Sequence, residues 1–133
     1  MDISVDSEKN YIYASRGKDM GTFRILLAVM ITGILVYTGI VGINHGWNLF
    51  PVFFGDMAAM NWPGQFNFDF MCLLMFSGLW IAWRHHFSPG GLVLGVLGVF
   101  AGTMLLAPYL LIESFKAKGN MKEILLGKVR ASS

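Results

Sequence analysis

Charge is what this chain has least of. Only 14% of its 133 residues are Asp, Glu, Lys or Arg, against roughly 25% in an ordinary soluble domain. Together with the apolar content given below, that scarcity excludes a disordered, fibrous or nucleic-acid-binding chain. Cysteine is scarcer still: a lone Cys72 in an apolar run leaves no intrachain disulfide and no thiolate metal cluster, and reads as a small packing residue. Also absent are a nucleotide-binding glycine loop, a Ser-His-Asp arrangement, a zinc motif and a kinase signature. The chain is therefore expected not to be an enzyme, and no metal site is expected.

What is present belongs to a bilayer. Apolar and aromatic residues make up 55% of the chain, with 16 glycines, 11 phenylalanines and 9 methionines, and the mean hydropathy is +0.57. The length allows one domain. No charge occurs over 25–43, a stretch close to the roughly 30 Å hydrocarbon thickness at about 1.5 Å per residue. A second apolar run is interrupted only by Asp69, and a third carries no charge. The expected fold is an all-α integral membrane protein in a single membrane domain, with transmembrane helices over 24–43, 66–83 and 91–112. The remaining segments are a polar amino-terminal stretch (1–23), an interfacial aromatic loop (44–65) and a basic carboxyl tail (113–133). The first span follows a long polar segment and lacks a small-residue cleavage site, so it is expected to stay uncleaved. No lipidation signal is evident at either end, and attachment is expected by spanning alone.

The loop 44–65 has no Lys or Arg but is rich in Trp, Phe and Met. Such segments lie in the interface with their tryptophans at headgroup depth. Pro51, Gly55 and Asp56 argue against a crossing there, although such a crossing would place both tails inside. Trp62-Pro63-Gly64 reads as a turn into the second span, and Ser88-Pro89-Gly90 closes a tight hairpin between the second and third. Three spans put the tails on opposite faces, yet both tails are basic, so the positive-inside rule is frustrated. The basic-free loop and Arg84 with His85 and His86 favour an amino end in the cytoplasm and a carboxyl tail outside, in a bacterial inner membrane.

Three groups of residues are candidates for function. Gly91, Gly95, Gly98 and Gly102 recur at spacings of four, three and four and lie on one helical stripe, which allows close helix approach. Gly39, Gly42 and Gly46 are its expected counterpart, with another chain as the alternative, and Pro108 is expected to bend the third span. Asp69 is an ionisable residue at membrane depth, and three spans would bring it to one level with His45 and Glu113, a polar cluster able to bind a cation or pass a proton. The plainer reading has Asp69 cap the second helix or pair with Asn67.

The third group closes the second span, where Ala82 and His86 lie four apart. This resembles the Ala-x-x-x-His pattern by which single-span light-harvesting polypeptides present an imidazole to a bacteriochlorophyll magnesium. The resemblance covers those two residues and implies His86 as a pigment ligand. No cofactor is expected, with bacteriochlorophyll at His86, or haem through His86 or His45, as the alternative. In the tail, Met121, Ile124 and Leu125 mark a short helix that would lie on headgroups or remain solvated.

The function expected is that of a small non-catalytic accessory subunit, packing against a larger membrane complex through glycine and aromatic faces. The alternatives are a small oligomeric ion or solute transporter using Asp69, and a pigment- or haem-binding subunit. The partners expected are the lipid bilayer and either a larger membrane protein complex or further copies of the chain, with no nucleic acid.

Overall fold

A computed structural model describes residues 3–133, except the side chains of Ile3 and of 12–19. Among the described residues every regular element is an α-helix: α1 (Ile3–His45), α2 (Phe50–Ala58), α3 (Trp62–Arg84), α4 (Pro89–Ala101), α5 (Thr103–Lys116), α6 (Met121–Leu126) and α7 (Lys128–Ala131). Two helices are long and apolar enough to cross a bilayer, the Met20–His45 part of α1 and the whole of α3. Only 11% and 17% of their most apolar windows are buried, whereas the core helix of a soluble domain is mostly covered.

The expected third span is divided. Its residues form α4 and then α5, and Gly102 between them takes φ 57° and ψ −132°. Glycine alone reaches that backbone region without strain. The interruption between helices therefore falls at Gly102, whereas Pro108 sits inside α5, where a proline removes one helical hydrogen bond and crowds the carbonyl four residues before it. The stretch 44–65 is also no simple loop, because it holds α2 and the first turn of α3. Trp62-Pro63-Gly64 opens that helix instead of forming a turn. Asn61, in extended conformation, accepts a bond from the Gly64 N–H at 2.9 Å, and proline in a first turn loses no helical hydrogen bond.

The chain divides into two compact units. One comprises Met1–Met30 and Ala107–Ser133. In it Met20, Ala117 and Ile124 form a small core, with Phe23 and Leu110 packed against it. Arg24 reaches Ser114 twice, from Nε to Oγ at 3.1 Å and from Nη2 to the carbonyl at 3.0 Å. Its guanidinium lies 4.1 Å from the Phe115 ring centroid, a cation–π contact. The carboxyl tail is thus an ordered part of the fold, with Ile124 fully buried, and not a solvated appendage.

The other unit is Ile31–Leu106, in which α3 packs against both α2 and α4. The α3–α4 turn closes through the Phe87 N–H to the Ala82 carbonyl at 2.8 Å, with His86 and Phe87 at φ 56° and 53°. Ser88 then caps α4 by accepting from the Gly91 N–H at 3.1 Å.

Candidate functional site

Helix α3 carries the site, and its capping decides where Asp69 lies. Because Asn61 is the N-cap, Asp69 comes two turns into the helix and does not cap it. Nor does it pair with Asn67. The Asn67 amide donates instead to the Phe53 carbonyl at 3.2 Å and to Asp56 Oδ2 at 3.4 Å, tying α2 to α3. Gly64 assists by letting α3 approach the backbone of Asp56 and Met57, where any Cβ would collide. Residues two apart on a helix point about 200° apart, so Asp69 is turned away from α2 and is exposed.

Its stripe is otherwise apolar and equally exposed. Trp62, Phe66, Leu73 and Phe76 follow α3 at helical spacing around Asp69 and are 83%, 66%, 58% and 70% accessible. Among the described residues Asp69 has neither a hydrogen-bond nor an ion-pair partner. Trp62 and Trp83 stand 21 residues apart on α3, about 31 Å along the axis, which matches two interfacial belts around a hydrocarbon core. Asp69 then lies about 10 Å below Trp62.

Beside that stripe runs an apolar groove of about 540 Å³ between α3 and α4, walled by Cys72, Met75, Phe76, Leu79, Leu92 and Val96. Cys72 is three residues beyond Asp69 and Phe76 is seven, so the groove begins one turn from the carboxylate on the same side of α3. Its floor is made by glycine. A Cβ on Gly95 would stand 2.7 Å from the Gly78 carbonyl oxygen, and one on Gly78 would stand 2.6 Å from the Gly95 carbonyl oxygen. Gly98 faces Ile81, Gly91 faces His85, and Gly102 faces Leu74 and Phe70.

The glycines of α4 therefore meet Gly78 of α3 and not the glycines of the first span. Gly39 and Gly46 have nothing within 4 Å, and Gly42 is covered by Trp47. Gly78 and Ala82, four apart on α3, are the small-residue pair that marks this face in the sequence; neither was expected to pack against the glycines of α4.

His45 is the exposed last residue of α1 and belongs with Asp69 to the unit Ile31–Leu106. Glu113 belongs to the other unit and lies 3.7 Å from Lys116 Nζ. Among the described residues no three His, Cys, Asp or Glu side chains gather closely enough to hold a metal ion. His86 is exposed in the turn, past the end of α3 at Arg84. The Ala-x-x-x-His arrangement needs both residues on one helical face, and here only Ala82 is helical.

Comparison of the chain with protein-family models, with curated proteins and with solved structures found no match.

Proposed function

We propose that this protein is a small non-catalytic accessory subunit of a larger integral membrane complex in a bacterial inner membrane. The observation that carries the proposal is the Asp69 stripe, a carboxylate without a partner among the described residues, on the exposed side of a helix able to span the bilayer, next to an apolar groove. Carboxylates are costly within the hydrocarbon and are retained where another group meets them. The partner this surface fits is a transmembrane helix with apolar side chains for the groove and one Arg, Lys or amide donor at the depth of Asp69. The glycine stripe is used between α3 and α4, so the partner surface is the exposed α3 stripe and the groove.

Interhelical polar contacts in membranes contribute about 0.6 to 2 kcal/mol, or roughly 3- to 30-fold in association. Co-purification in mild detergent from the protein's own membranes tests this. Asp69→Leu is expected to lose a stoichiometric integral-membrane partner by roughly that factor while inserting normally, and Asp69→Glu is expected to retain it. Full retention in Asp69→Leu contradicts the proposal. The same exposed carboxylate supports a second reading, an oligomeric ion or solute transporter, in which Asp69→Asn abolishes flux through a particle made of this chain alone.

A further inference from the structure

We infer that the chain crosses the membrane twice, through Met20–His45 and Trp62–Arg84, and that the segment 85–114 enters and leaves by one face, so that both basic ends lie on the same side. Three observations carry this, and none depends on the subunit proposal.

The first is contact. Arg24, at the start of the first span, bonds to Ser114 at 3.0 and 3.1 Å, and Met20 shares a core with Ala117 and Ile124. Groups about 3 Å apart cannot stand on opposite sides of a hydrocarbon core of about 30 Å. Residues 24 and 114 therefore belong to one face. Two crossings return the chain to that same face at Arg84, so the path from 85 to 114 must cross an even number of times.

The second is length. Helix α4 has 13 residues and α5 has 14, each about 20 Å long, and a backbone break at Gly102 separates them. Neither helix alone spans the core. Gly102 lies against Leu74 of α3, ten residues before Arg84 in that helix and so about 15 Å from its end. That is the depth of the bilayer midplane. The chain thus reaches about mid-depth at Gly102 and, since Ser114 shares a face with Arg24, it returns from there without completing a crossing.

The third is charge. The chain has ten Lys and Arg residues, and all lie at or before Arg24 or at or after Arg84. Three crossings would strand Lys116, Lys118, Lys122, Lys128 and Arg130 on the far side. Two crossings followed by a re-entrant segment place all ten on one face, in full agreement with the positive-inside rule. That face is the cytoplasmic one, opposite Trp47, α2 and Met60.

Single cysteines in a Cys72→Ser chain test the path with a membrane-impermeant maleimide applied to sealed right-side-out and inverted vesicles. Ser7→Cys, Gly90→Cys and Ser132→Cys are expected to label only from the cytoplasmic side, and Met60→Cys only from the other. Labelling of Ser132→Cys from the Met60 side overturns the inference. Met104→Cys, next to Gly102 in depth, is expected to resist labelling from the Met60 side, and modification there means two full crossings and likewise overturns it. Trypsin provides a readout on the unaltered chain: cleavage at Lys9 and at Lys128 is expected in inverted vesicles only, and cleavage at Lys128 in right-side-out vesicles contradicts the shared face.

Discussion

Gly95→Leu will break the α3–α4 pair. The obstacle to a side chain at this position is the Gly78 carbonyl at 2.7 Å, followed by the Ala82 methyl at 3.3 Å, and a backbone atom cannot rotate aside as a side chain can. Between helices in lipid there is little hydrophobic drive to offset the separation, because the association itself consists of close dispersion contacts and backbone approach. The expected loss is about 3 kcal/mol, the upper end of the cost of over-packing. Thermal unfolding in mild detergent, followed by maleimide access to the half-buried Cys72 on the groove wall, measures it. Two comparisons sharpen the expectation. Gly98→Ala should cost less than Gly95→Ala, since its nearest obstacle is a side-chain terminus, Ile81 Cδ1 at 3.1 Å, and not backbone, and Gly90→Ala should cost little, with nothing within 4 Å. Equal behaviour of the three alanine variants contradicts the packing described.

Ile124→Ala is expected to free the carboxyl tail. Ile124 is fully buried against Met20 and Ala117, and truncating such a side chain costs about 2 to 5 kcal/mol. Helix α6 has six residues, far below the length at which a helix holds by itself in water, so its order depends on this anchor. Hydrogen exchange of the amides in α6 should rise toward that of an unfolded peptide in the variant. The backbone around Ser114 should stay protected, because Arg24 holds it independently through two hydrogen bonds. Unchanged protection in α6 would mean that the tail is ordered by something other than this core.

The two long apolar stretches are legible because a scarcity of charge over about 20 residues is a one-dimensional property. The start of α3 is not, although its signals are local. Pro63 and Gly64 normally punctuate a chain, yet proline suits a helix's first turn, and Gly64 is required by the approach of Asp56. Asn61 was the cap signal that outranked both. Gly102 continues the stripe by its spacing from Gly98 and does face Leu74 and Phe70; that it also breaks the helix is visible only in its backbone angles. The docking of Ile124 on Met20 spans most of the chain, and no periodicity reports a contact at that separation. Asp69 is legible as the one charge within its apolar run, but its separation from Asn67 depends on α2, which holds the Asn67 amide through Phe53 and Asp56.

The measurement that bears most directly on the central claim is the mass and composition of the particle in which the unaltered chain leaves its own membrane in mild detergent. The account predicts a colourless particle several-fold heavier than the 14.8 kDa chain, containing a second integral membrane protein in fixed stoichiometry. A particle composed solely of copies of this chain, with the same composition after Asp69→Leu, would contradict it.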